Sequence, residues 1–159
     1  HCFVTSLVKR IYLLESASDD GNIISLTVKY LPGIVLASYV NHFDLAESIL
    51  HESTHLWLNG VERVEKLVSD ETGLFCSPLR KDPRPLMSII HQALVLRNLH
   101  HYYLELRSNT ELTRSLNMDR VMDRLICTEH ELKQAIEVLQ PNINQLTDPG
   151  RALCDAFIF

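Results

Sequence analysis

Residues His51-Glu52-Ser53-Thr54-His55 sit inside an otherwise apolar helical run, and no other feature of the chain narrows its fold as much. Residues four apart on a helix stand one turn apart on the same face, so the two imidazoles can direct ring nitrogens at one point. Glu52 lies about 100° around the axis from His51. Leu45, Ile49, Leu50, Leu56, Trp57 and Leu58 fall around most of the circumference, which predicts a largely buried helix. A carboxylate buried between two imidazoles is costly unless something offsets the lost hydration, and a divalent cation does so. The competing reading is a satisfied polar network between helix and sheet.

The flanking pattern predicts where that helix packs. Val8 to Leu14, Ile23 to Tyr30 and Gly33 to Tyr39 are short β-branched runs, separated by Asp19-Asp20-Gly21-Asn22 and by Pro32-Gly33. They read as two or three strands of a small antiparallel sheet. The continuously apolar Ile34-Val35-Leu36-Ala37 suits a central strand covered on both faces. Asp44 with Glu47 three residues on resembles a capping box, which starts the motif helix there, and Gly60 reads as its C-cap. After a polar stretch to Asp82, Pro85 opens a long helix through Leu86, Ile89, Ile90, Ala93 and Leu94 to about Leu106. Another begins at Asn117-Met118-Asp119, carries Val121, Met122, Leu125, Ile126, Leu132, Ile136 and Leu139 as its apolar stripe, and ends at Pro141. A short closing helix follows Pro149-Gly150.

Composition removes several classes of function. The 159 residues suit a single domain spanning 1–159, and 46% apolar content is ordinary for a globular chain. A net charge of −5 with singly scattered basic residues offers no cationic stripe, so nucleic acid is not an expected partner. No apolar run approaches the roughly 20 residues of a membrane span, so no membrane partner is expected and the compartment read is cytoplasmic. Cys2, Cys76, Cys127 and Cys154 form no Cys-x-x-Cys pair and read as reduced, mostly buried thiols. The opening His1 suggests a fragment, with upstream polypeptide completing the fold.

Two imidazoles do not complete a site, so a third protein ligand is needed. In the metzincin pattern a Gly and a third His follow at fixed spacing. Here Gly60 stands one or two positions out of register, and Val61 and Arg63 sit near where that His would fall, which excludes the subclass. Glu65, Asp70 or Glu71 could serve as a later carboxylate ligand, although each also reads as a solvated charge. On the long helix the candidates are His91, His100, His101 and Glu105. His91 and His100 are about 180° opposed, and His101 is about 15 Å along the axis from His91, so only one can reach the ion. The apolar surroundings Ile89-Ile90-His91-Gln92-Ala93-Leu94 favour His91, whose bland alternative is a buried histidine bonded to a carbonyl.

Four blocks in order carry a resemblance. Leu31-Pro32-Gly33-Ile34-Val35-Leu36, then Leu45 through His55, then Ser77-Pro78-Leu79-Arg80-Lys81-Asp82-Pro83-Arg84-Pro85-Leu86, and finally Ile90-His91 are similar to the HExxH-type 2-oxoglutarate-dependent peptide β-hydroxylases. These enzymes accompany ribosomally made, modified peptides in bacterial gene clusters. The match covers roughly residues 10–105, and the C-terminal third carries no such signature. The resemblance implies a mononuclear non-haem Fe(II) dioxygenase that uses 2-oxoglutarate to hydroxylate a peptide side chain at its β-carbon. It implies His51, His55 and His91 as iron ligands, Glu52 as a water- or ligand-orienting catalytic group, and Arg80 or Arg84 as the partner of a 2-oxoglutarate carboxylate, to which a guanidinium fork is suited. An all-histidine set departs from the usual two histidines and one carboxylate. The expected fold is α+β and zincin-like: a small antiparallel sheet on a buried HExxH helix, followed by further helices.

Two other readings stay open. In a zinc metallopeptidase Glu52 would be the general base for metal-bound water. A non-catalytic peptide-binding module would keep a structural ion with closed, four-ligand coordination.

Overall fold

A computed structural model describes residues 2–14, 24–28, 30–69, 72–109, 111 and 116–159. Asp19-Asp20-Gly21-Asn22, Ile23, Asp70 and Glu71 lie outside these described residues. The chain divides into two compact units, His1–Val61 and Glu62–Phe159. The architecture is mixed α and β, as expected, and among the described residues no helix is long and apolar enough to cross a membrane.

The first unit holds helix α1 (Cys2–Leu7), strands β1 (Arg10–Leu14), β2 (Ser25–Thr27) and β3 (Ile34–Ser38), and most of helix α2 (His42–Glu62). The sheet order is β1-β3-β2, so the apolar third run is indeed central. The sheet is not wholly antiparallel: β2 pairs antiparallel with β3, but β1 pairs with it in parallel, Arg10 opposite Ile34 through Leu14 opposite Ser38. The reason is that β3 returns between its two predecessors, a choice of neighbour that the alternation of each strand does not encode. The β2–β3 turn brings Gly33 to φ +83°, and its carbonyl accepts the N–H groups of Lys9 and Arg10 at 2.8 and 3.0 Å. A Cβ there would stand 2.9 Å from Lys9 Cγ, so the turn and the start of β1 both require glycine.

Paired residues share a face of a sheet. Val35 and Ala37 are fully buried and pack with Leu56 of α2, flanked by Val8 and Leu45. Ile11 and Leu13, on that same face of β1, remain 43% and 59% exposed. On the other face of β3 Ile34 and Leu36 are half-buried and Ser38 is buried, so that face is covered only in part.

α2 starts three residues before the expected cap. Asn41 Oδ1 accepts the Asp44 N–H at 3.0 Å, while Asn41 Nδ2 donates to the buried Asp44 carboxylate at 2.6 Å. Asn41 is therefore the N-cap and Asp44 the third helical residue. At the other end the helix runs through Gly60 to Glu62, so Gly60 is an interior glycine, not a C-cap. Its position is exposed, and an added Cβ would meet nothing within 4 Å.

In the second unit a two-stranded ribbon, β4 (Leu74–Phe75) and β5 (Arg84–Pro85), precedes α3 (Leu86–Ser108), α4 (Met118–Leu139), a 3₁₀ turn (Gln140–Gln145) and α5 (Asp148–Phe157). α4 is capped by Asn117, whose side chain accepts the Arg120 N–H, and ends before Pro141. It buries Val121, Leu125, Thr128, Leu132, Ala135 and Leu139, alternating four- and three-residue steps that form one stripe against α3. Ile126, expected on that stripe, is 60% exposed. Cys76 and Cys127 are exposed, contrary to the expectation of mostly buried thiols. Cys154 is buried, and burial, with Asp155 adding to it, pushes its thiol up to about 11.

α5 begins at Thr147, whose hydroxyl accepts the Gly150 N–H. The helix thus contains Pro149-Gly150 in its first turn instead of following it. Ser69 N–H donates to the Gln145 carbonyl and Thr147 N–H to that of Leu67, stitching 67–69 across the start of α5. A Cβ on Gly150 would lie 2.0 Å from the Leu67 carbonyl oxygen.

The two glycines therefore respond oppositely to alanine. Gly60→Ala should stabilise the protein by about 0.5–1 kcal/mol, because it removes the helix-interior cost of glycine. Gly150→Ala should destabilise it by at least about 2 kcal/mol through the backbone clash. Urea midpoints of the two variants check both signs.

Candidate functional site

The motif helix delivers its residues to different surroundings. Asp44, Ser48, Glu52 and Leu56 form a buried row along α2, and Glu52 is 4% exposed. Its carboxylate turns to β2, where Oε1 accepts the Ser25 hydroxyl at 2.8 Å and the Thr27 backbone N–H adds a second bond. Ser25 and Thr27 are two apart on the strand and so share a face. Next to Glu52 in sequence, Ser53 and Thr54 are also buried, each returning its hydroxyl to the carbonyl four residues back, Ile49 and Leu50. Those bonds satisfy the hydroxyls within the helix.

His51 and His55 are half-buried on the adjacent face. Their Nε2 atoms are 3.1 Å apart, with ring centroids 4.9 Å apart and planes at 65°. Two chemical states account for that distance. Neutral imidazoles can share one N–H between the nitrogens, or both lone pairs can point at one cation. With metal–nitrogen bonds of about 2.0–2.1 Å, a 3.1 Å separation corresponds to an angle of about 95–102° at the ion, open to tetrahedral and cis-octahedral pairs alike. The pair thus fits a metal as two donors. Among the described residues no three His, Cys, Asp or Glu side chains gather as a metal cluster.

Burial raises the Glu52 carboxyl above the ordinary value of 4.5, against the opposing pull of the Ser25 and Thr27 hydrogen bonds. The folded state therefore holds this proton more tightly than the unfolded chain. Its favourable contribution is complete below pH 4.5 and is lost as pH rises through the folded value.

The remaining candidates belong to the second unit. His91 lies on α3 with its side chain 18% exposed, and its Nε2 stands 3.5 Å from Glu62 Oε1, at ion-pair distance. One residue on, Gln92 accepts the Ser77 hydroxyl at 2.8 Å, and the Ser77 oxygen in turn accepts the N–H groups of Leu79 and Arg80. That arrangement ties the loop before β5 to α3. Arg80 is exposed, whereas Arg84, paired with Phe75 in the ribbon, is half-buried with its Nε buried and without a hydrogen bond among the described residues. Glu65, His101 and Glu105 are exposed and His100 is half-buried.

Sequence reasoning missed three participants. Ser25 and Thr27 gave only the alternation of a strand, and nothing in it names their partner. Glu62 had a legible signal, since it falls seven residues after His55 and hence near the same helical line. No family model and no curated protein matches the chain.

Glu52→Gln keeps an acceptor oxygen for Ser25 and removes the charge. In the metal-free protein it should raise the urea midpoint near pH 7, with the gain shrinking as pH falls towards 4. Equal midpoints across that range would show that Glu52 ionisation carries no folding cost.

Proposed function

We propose that this chain is an Fe(II)/2-oxoglutarate-dependent oxygenase that hydroxylates a peptide side chain at its β-carbon. The observation that carries the proposal is the His51–His55 pair, two nitrogens 3.1 Å apart on one turn of helix beside a carboxylate turned away to β2. His51 and His55 would hold the ion, with His91 as the third donor that the sequence resemblance implies. Three protein donors leave positions open for a bidentate keto acid and for dioxygen. Bound there, iron supplies the coupling of dioxygen to oxidative decarboxylation of 2-oxoglutarate, yielding succinate, carbon dioxide and the hydroxylated peptide.

The chain's own residues divide the other tasks. Arg84 suits the distal carboxylate of the keto acid better than Arg80, because its buried Nε is without an acceptor among the described residues and a carboxylate would satisfy it. Glu52, held by Ser25 and Thr27, keeps the motif turn fixed against the strand and so sets the direction of the neighbouring imidazoles. The same placement weighs against a zinc peptidase, whose glutamate must meet a metal-bound water. Glu52 instead is 4% exposed and accepts two donors from β2.

Anaerobically iron-loaded protein, supplied with 2-oxoglutarate, dioxygen and peptides encoded beside its gene, should release succinate and add one oxygen atom to a peptide. Arg84→Ala should weaken 2-oxoglutarate binding by about tenfold or more, the scale of a lost hydrogen bond to a charged group, and Arg80→Ala should change it little. Hydrolysis of a peptide bond restored by zinc and not by iron would overturn the proposal.

A further inference from the structure

We propose that the outer edge of β1 docks an extended peptide, which adds to the first unit's sheet as a fourth strand; that this peptide is the substrate rests on the oxygenase reading. In the order β1-β3-β2, β1 is an edge, and among the described residues nothing pairs with its outer side. The N–H and C=O of one residue point to the same side of a strand, and successive residues alternate. The Arg10 N–H donates to the Gly33 carbonyl at 3.0 Å, so Arg10, Tyr12 and Leu14 turn their backbone groups to β3, while Ile11 and Leu13 turn theirs outward. Those two residues offer two donors and two acceptors to an added strand, and they are 43% and 59% exposed. The opposite edge, β2, is three residues long and carries Ser25 and Thr27, as edges that resist strand addition do. β1 has five residues, no proline and only Arg10 as a charge.

The size of this edge selects its occupant. A second copy pairing β1 with β1 across a two-fold axis would cover mainly Ile11, Tyr12 and Leu13, on the order of 300 Å² of side-chain surface per copy, whereas a stable complex needs about 800 Å² per partner. A peptide strand draws its affinity from main-chain hydrogen bonds and needs no such area. Antiparallel addition, the more stable mode per residue, sets two peptide residues in hydrogen-bonded pairs with Leu13 and Ile11, their side chains on the face that α2 covers at Val35 and Ala37. The residues opposite Tyr12 and Arg10 lie on the other face, where side chains of non-hydrogen-bonded pairs approach closely. The fitting sequence is therefore apolar, β-branched, apolar, acidic, opposite Leu13, Tyr12, Ile11 and Arg10 in turn, with the acidic residue meeting the exposed Arg10.

The test is a titration of the whole metal-free chain with acetyl-Gly-Val-Thr-Val-Glu-Gly-amide, followed by amide hydrogen exchange and sedimentation. The peptide should slow exchange at Ile11 and Leu13 about tenfold or more and leave Tyr12, whose N–H faces β3, unchanged. N-methylation of both peptide valines should abolish binding. Arg10→Glu should weaken binding about threefold or more, and a peptide with Lys in place of Glu should restore it. Slow exchange at Ile11 and Leu13 before peptide is added would show the edge already occupied within the chain. Protection that grows with protein concentration as the mass doubles would assign it to a second copy. Either result overturns the proposal, as does unchanged exchange at millimolar peptide. Hydroxylation of a peptide without docking at β1 overturns the docking alone, whereas docking without hydroxylation of any peptide counts against the oxygenase reading alone.

Discussion

The hydrogen bonds from β2 to the buried Glu52 carboxylate are the constraint on which the first unit's site depends. A carboxylate withdrawn from water must be supplied with donors. Ser25 supplies a hydroxyl and Thr27 a backbone N–H, and together they hold one turn of α2 in a fixed rotation against the strand. The apolar contacts of Val35, Ala37 and Leu56 press the helix onto the sheet but tolerate small rotations, as non-directional packing does. Directional bonds to Glu52 remove that freedom. With Glu52 fixed, the helical geometry decides where the imidazoles one residue before and three residues after it must go.

That arrangement separates the polar residues of the motif by task. Asp44, Ser48 and Glu52 lie on the buried side, where hydrogen bonds to Asn41 and to β2 meet the desolvation of the two carboxylates. His51 and His55 lie on the half-buried side, where their nitrogens approach each other. A single turn of helix can do both because its residues diverge by about 100° each. The second unit is organised differently: α3 and α4 form its main interface, and the ribbon loop is tied to α3 at Gln92, next to His91. The Glu62–His91 contact belongs to this second unit, and it gives the candidate ligand a charged neighbour.

Elements with a strong periodic signal were legible from the residues alone. The long helices from Pro85 and Asn117 and the stop at Pro141 rest on local chemistry, a proline without an N–H and an asparagine that caps. Errors arose where two local signals competed. Asp44 and Asn41 are both good caps, and the choice fell to Asn41 because the buried Asp44 carboxylate could then accept from it. Gly60 looked like a terminator, yet nothing beyond it stops the helix before Glu62. The α1 helix escaped notice because six residues are too few to show a period.

The amino-acid order by itself determined the helical placement of His51, Glu52 and His55, the central apolar strand and the extent of the long helices, since each follows from spacing and caps within one segment. Only the tertiary structure decided that β1 runs parallel to β3, that Glu52 faces Ser25 and Thr27, and that His91 meets Glu62. The physical reason is that hydrogen bonds and ion pairs between distant segments depend on which faces meet. Periodicity within a segment specifies which face is buried and leaves open what it is buried against.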